Sequence, residues 1–187
     1  MKQAKNKFSK GFTLVESLVA IGILSLSITA TFTAVQVGLK TSIAAKDQVT
    51  AFYLAQEAME YIKNVRDENA LHSLNGTSKN WLTGLVITDA GASGPCDYGK
   101  TCTIDVYTNT VSTCSGILGT CPNLNQDSSS GIYSYTSGAN WVATNFKREI
   151  QLTSTGSDSI IVSIRIQWIS GGVTKSFTIS GDVFNRQ

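Results

Sequence analysis

The chain has 187 residues, of which 42% are apolar and only 15% charged, against roughly 25% charge in an average soluble domain. That length fits one ordinary domain, or a smaller one with an attached segment, and argues against two large domains. Fifteen basic and thirteen acidic residues leave a net charge of +2. This is too small a surplus for a general nucleic-acid binder, so nucleic acid is not an expected partner. Two prolines and no low-complexity tract exclude a disordered or collagen-like polymer.

The first element is a short basic leader. Lys2, Lys5, Lys7 and Lys10 all precede Gly11, and no acidic residue lies among the first ten. The small basicity of the chain belongs to this leader, because eleven basic residues remain against thirteen acidic ones beyond it. From Ser17 to Leu39 run 23 residues without a charge, which as a helix would reach about 34 Å, enough for a hydrocarbon core of roughly 30 Å. Basic residues before such a segment predict a cytoplasmic N-terminus and an exported remainder. A secretory signal peptide shares these ingredients, but its apolar core is usually about 7 to 15 residues long and closes on a small-residue cleavage site. Here the apolar run starts abruptly after Gly11 and continues to Leu39, as in an anchor. An ordinary anchor leaves Glu16 unexplained, since an unpartnered carboxylate near the bilayer centre costs at least about 2.5 kcal/mol, less toward the interface.

The residues around that glutamate carry a family resemblance. Lys10-Gly11-Phe12-Thr13-Leu14-Val15-Glu16, followed by Ser17-Leu18-Val19-Ala20-Ile21, resembles the prepilin cleavage and methylation motif of type IV pilins and of the pseudopilins of type II secretion and competence systems. A basic leader ends at a glycine, a phenylalanine follows, and a glutamate stands fifth counting from that phenylalanine. The resemblance implies that a membrane-embedded prepilin peptidase and methyltransferase cuts between Gly11 and Phe12 and methylates the new amine of Phe12. Glycine suits the site before the cut because it adds no side chain and tolerates unusual dihedrals. The resemblance further implies other pilin or pseudopilin subunits and an inner-membrane assembly platform as partners, with membrane lipid around the helix before assembly. Glu16 is then an assembly residue whose carboxylate meets the Phe12 amine of a neighbouring subunit.

The helical signal continues past the apolar run. Ala51, Leu54, Ala55, Ala58, Ile62 and Val65 recur at three- and four-residue steps, while Lys46, Asp47, Glu57, Glu60, Lys63 and Asp67 fall mostly elsewhere. Lys63 with Asp67 and Glu60 with Lys63 are candidate ion pairs, each worth a few tenths of a kcal/mol. A long helix over 12–69 results, with the transmembrane segment at 17–39. No proline interrupts it, whereas major pilins commonly carry a helix-bending proline there, so the resemblance leans toward a minor pilin or pseudopilin. Tyr53-Leu54-Ala55-Gln56-Glu57-Ala58-Met59-Glu60 also resembles the second half of that helix in such minor subunits.

Residues 70–145 are dominated by Gly, Ser, Thr and Asn and read as a loop-rich variable region. It holds all four cysteines, Cys96, Cys102, Cys114 and Cys121. An exported region can form disulfides, and four cysteines allow three pairings. Cys96 with Cys102 and Cys114 with Cys121 is the favoured pairing, because each encloses a short run around a turn former such as Gly99 or Gly116. Structural zinc is the alternative, although its ligands usually stand in tighter C-x₂₋₄-C steps, and four buried thiols are a third possibility.

Residues 146–187 predict three antiparallel strands. Ile160, Val162, Ile164, Ile166 and Trp168 alternate with Ile161, Ser163, Arg165, Gln167 and Ile169, giving one strongly apolar face. Ser170-Gly171-Gly172 marks a hairpin, after which Val173, Phe177, Ile179 and Val183 share one side of a second strand. Phe146, Arg148, Ile150 and Leu152 suggest a third, with Thr155-Gly156-Ser157-Asp158 as the intervening loop. The sheet needs a cover for its apolar face, and the stripe from Ala51 to Val65 supplies it. The expected fold is α+β, a long N-terminal helix packed on a C-terminal antiparallel sheet, pilin-like.

No catalytic constellation is evident. His72 is the single histidine, no phosphate-binding glycine loop or nucleophile elbow occurs, and Glu57 with Glu60 reads as a solvated or ion-paired helix face. Trp81, Trp141 and Trp168 are too scattered for a base-stacking platform, and Trp168 suits the sheet core. Neither a catalytic residue, a metal nor a cofactor is expected. The resemblance implies a minor structural subunit of a type IV pilus-like filament, acting in assembly, initiation and surface presentation. A pseudopilin of a secretion or DNA-uptake machine, or a tip-located adhesin, is the alternative. The expected localisation is a single-pass membrane protein with its head exported, later an extracellular or periplasmic filament subunit.

Overall fold

The computed structural model describes residues 11–77, 79–114 and 116–186, so the four leader lysines lie outside the described residues. The chain divides into two compact units, one up to Ile43 and one from Ala44 onward. Helix α1, Leu14–Leu74, contributes to both.

In the second unit, α1 buries Ala51, Leu54, Ala55, Ala58 and Ile62, as the three- and four-residue spacing predicts. The same stripe continues through buried Arg66 and Asn69, so the helix ends at Leu74 and not at 69. Polar partners replace apolar packing in this last part. Asn69 Nδ2 donates to the carbonyls of Trp81 (3.2 Å) and Thr83 (2.9 Å), which is why hydrophobic periodicity stops short of the true helix end. Asp67 pairs with Arg66 and Lys63 with Glu60, in place of the expected Lys63–Asp67 pair. The helix closes on a Schellman turn, with Gly76 at φ 83° and the Thr77 amide donating to the His72 carbonyl at 3.1 Å. His72 therefore belongs to the last helical turn, where it is exposed.

Against the helix lies one antiparallel sheet of seven strands. They are β1 (Thr101–Asp105), β2 (Thr110–Thr113), β3 (Asn123–Asp127), β4 (Tyr133–Ser134), β5 (Trp141–Ser154), β6 (Ser159–Ser170) and β7 (Val173–Phe184). The expectation of three strands over 146–187 is met by β5, β6 and β7, but β5 begins earlier, at Trp141, and four more strands lie in the stretch expected to be loop-rich. β5 is the hub. It pairs with β6 along one edge, while its other edge is shared by β1, through Thr101↔Gln151 and Cys102↔Ile150, and by β3, from Asn123↔Lys147 to Asp127↔Trp141. β2 pairs with β1 and β4 with β3. β6 and β7 pair without a break from Ser159↔Phe184 to Ser170↔Val173, joined by Gly171 (φ 61°) and Gly172 (φ 78°). Two successive left-handed residues make the type I′ turn whose twist matches paired strands.

The alternation in β6 sorts as expected. Ile160, Val162, Ile164, Ile166 and Trp168 are buried, as are Phe146, Arg148, Ile150 and Leu152 of β5. Each fully buried aliphatic side chain contributes roughly 1.5–3 kcal/mol relative to an exposed one, so this helix-on-sheet layer holds the unit together. Trp168 stacks beside Phe146 and meets Phe177 edge-on.

The short strands were illegible because they are polar. All five residues of β1, Thr101-Cys102-Thr103-Ile104-Asp105, are buried. Asp105 accepts hydrogen bonds from the Ser134 hydroxyl (2.7 Å), the Tyr135 amide (2.9 Å) and the Tyr107 and Thr108 amides, joining the β1–β2 turn to the end of β4. The four cysteines form two disulfides, Cys96–Cys102 and Cys114–Cys121, each with Cα atoms 5.2 Å apart. Cys102 lies within β1 and Cys114 directly follows β2, so both disulfides anchor the β1–β2 hairpin. With every cysteine in a disulfide, no thiolate remains for zinc.

Candidate processing and assembly site

The first unit contains the residues expected to be cut, methylated and used in assembly. Gly11, Phe12 and Thr13 precede the helix and are exposed, Phe12 to 80% of its surface. Around Gly11 there is open space, since a Cβ built there would meet nothing within 4 Å. Among the described residues, Gly11 and Phe12 thus lie outside regular secondary structure and are exposed.

Thr13 begins the helix. Its Oγ1 accepts a hydrogen bond from the Glu16 amide at 3.3 Å, and its carbonyl accepts one from the Ser17 amide at 3.1 Å. Thr13 is therefore the N-cap and Glu16 the third helical residue, the spacing of a capping box. Thr13-Leu14-Val15-Glu16 carries the S/T-x-x-E signature of such a start, a signal that the apolar run around it masks. Glu16 sits where four backbone N–H groups lack intrahelical partners and where the helix dipole favours negative charge. An amine at Phe12 would lie just outside the same turn. Cleavage would thus place a cation beside a helix end that repels it, with Glu16 as the nearest carboxylate in sequence.

From Leu14 to Ile43 the described side chains of α1 are exposed, and the apolar window has a mean hydropathy of 2.1 with none of it buried. It is long and apolar enough to cross a membrane. The hydroxyls within it do not oppose that. Ser27 donates to the Ile23 carbonyl, Thr29 to Ser25, Thr31 to Ser27 and Ile28, Thr33 to Thr29, and Thr41 to Val37. Each of these five hydroxyls finds an acceptor about one turn back in its own helix, so these five donors are satisfied without water.

Residues 6–32 match the family model of the prokaryotic N-terminal methylation motif. The chain carries a prepilin-type signal. The match covers Gly11, Phe12 and Glu16 together with most of the uncharged helix, and it supports a type IV pilin- or pseudopilin-like protein. It implies processing by a prepilin peptidase and assembly with other pilin subunits. With the apolar helix it fits a membrane-anchored protein whose head is exported. No curated protein and no solved structure matches the chain.

Glu57, Glu60, His72 and the three tryptophans all lie in the second unit. Glu57 is ion-paired with Arg148 and Glu60 with Lys63. Trp81 and Trp168 are buried, while Trp141 is half-buried and meets Tyr107 edge-on. Among the described residues, no three of His, Cys, Asp and Glu gather as a metal site would require.

Proposed function

We propose that this chain is a minor structural subunit of a type IV pilus-like filament, working in assembly, initiation and surface presentation rather than in catalysis. The observation that carries the reading is the capped helix start, with its exposed Gly11–Phe12 bond and Glu16 in the first turn. The peptidase removes the leader and methylates Phe12. The subunit, held in lipid by residues 17–39 with its head exported, then exchanges lipid contacts for helix contacts in the fibre. Ala20, Gly22, Ser25, Ser27, Ala30 and Ala34 permit the close helix approach that such a bundle favours.

Within the fibre, Glu16 neutralises the methylated Phe12 amine of a neighbouring subunit and sets the axial register. In low dielectric the pair is strongly attractive, whereas either charge alone is costly. Glu16→Val should leave cleavage and membrane insertion intact but deplete the subunit from sheared filaments, and Glu16→Asp should be partly tolerated. Immunodetection in sheared and membrane fractions reads this directly. Glu16→Val protein reaching filaments at the wild-type level would remove the assembly role. The lack of a proline in the apolar helix also suits a pseudopilin of a secretion or DNA-uptake machine, which would differ in its partner subunits. A tip-located adhesin would use the surface of residues 70–145.

A further inference from the structure

Asn75 is the one asparagine in the chain followed two residues later by serine or threonine, in Asn75-Gly76-Thr77. Asn-x-Ser/Thr, with x other than proline, is the acceptor pattern for N-linked sugar and calls for an exposed turn on an exported domain. The fold provides such a turn. Asn75 directly follows the last residue of α1, Gly76 takes the left-handed conformation (φ 83°), and all three residues are exposed. A Cβ built on Gly76 would meet nothing within 4 Å. The turn is held by three backbone bonds to the last helical turn, Asn75 to Leu71, Gly76 to Ser73 and Thr77 to His72. It contains no core residue, so it can open into an enzyme cleft without disturbing the sheet. Leu71 and Leu74, beside the acceptor, expose 61% and 82% of their surface, an apolar patch that a sugar would shield from water.

We propose that Asn75 is an N-glycosylation site. The donor class is a lipid-linked sugar phosphate or diphosphate, and the catalyst is a membrane glycosyltransferase acting on the exported side. The Asn75 side-chain nitrogen attacks the anomeric carbon of the sugar. A C–N bond forms, the C–O bond to the lipid phosphate breaks, the lipid phosphate leaves with its electron pair, and the amide proton passes to a base of the transferase. Thr77 is the recognition residue and contributes no atom to the product. The proposal rests on the reading that the head is exported.

The test is mass spectrometry of the full chain isolated from its native cells, with the state of the four cysteines measured on the same sample. The expected result is a peptide containing Asn75 heavier by whole monosaccharide residues. That shift should be lost completely in Asn75→Gln and in Thr77→Val, and kept at least in part in Thr77→Ser. Unmodified Asn75 in protein with both disulfides formed would overturn the proposal while leaving the exported head standing. Unmodified Asn75 with four free thiols would overturn both. A sugar that survives Asn75→Gln, or that stays on Asn75 in Thr77→Val, would equally contradict sequon-directed attachment.

Discussion

Arg148 of β5 is fully buried and ion-paired with Glu57 of α1. Its Nη1 donates to the Glu57 carboxylate and, at 2.9 Å, to the Leu54 carbonyl, while Nη2 donates to the Ile104 carbonyl of β1. One guanidinium thus ties the helix, the hub strand and the β1–β2 hairpin together, in a position that the sequence pattern presents as part of an apolar series.

This geometry makes the two ends of the pair unequal. Glu57→Ala leaves a buried cation with carbonyl partners only, and should cost about 3 kcal/mol. Arg148→Met removes the charge but orphans the Ile104 carbonyl, for about 1–2 kcal/mol. Urea unfolding of a fragment starting at Ala44 should therefore rank Glu57→Ala as the less stable variant. The reverse order would show that the ion pair is not what fixes the helix on the sheet.

The two disulfides should also differ. Both close short loops, so the loop-entropy contribution is about 2 kcal/mol for each. Cys96 and Cys102 are in addition completely buried in the core, whereas the Cys114–Cys121 loop lies over β5, with the Gly119 amide donating to buried Glu149 and its carbonyl accepting from Lys147 Nζ at 2.7 Å. Replacing Cys96 and Cys102 by Ser should lower the melting temperature more than replacing Cys114 and Cys121 by Ser. Differential scanning calorimetry of the three proteins checks the order.

Stability should fall at both ends of the pH range. Burial of Asp105 opposes its ionisation, but the Ser134 hydroxyl and the Tyr135 and Thr108 amides outweigh this and hold the carboxyl below its usual 3.8. A depressed folded pKa gives stability that is present above the unfolded value and lost as pH falls through the folded one. For Tyr135, burial pushes the phenol up to about 12, so its contribution is complete below the ordinary value of 10 and is lost as pH rises from there toward 12. Melting temperatures measured across pH should show an acid limb that shrinks in Asp105→Asn and an alkaline limb that shrinks in Tyr135→Phe.

The readable parts of the fold are those where one face meets the core and the other meets water. The 160–168 alternation, the Gly171-Gly172 turn and the Ala51–Val65 stripe are of this kind; the first two have the expected structure, and the stripe is buried as far as Ile62 with Val65 half-buried against the core. β1 and β3 carry no such signal. Thr101, Thr103 and Asp105 are buried together with Cys102 and Ile104, and Leu124 is the one fully buried residue among Asn123, Asn125, Gln126 and Asp127. Their pairing comes from the neighbouring β5 edge, which no local pattern announces. At the N-terminus the motif was legible as chemistry, since Gly11, Phe12 and Glu16 stand at fixed spacing. The capping role of Thr13 was written there too, in the three-residue step to Glu16, but the apolar run masked it.

The most direct test of the account is the N-terminus of the chain taken from its native membrane, read by intact mass and by sequencing the terminal peptide. The prepilin-type signal predicts a protein that begins at Phe12 and carries one methyl group on its amine. A chain that still begins at Met1 or Lys2, or that is cut beyond the apolar helix, would contradict it.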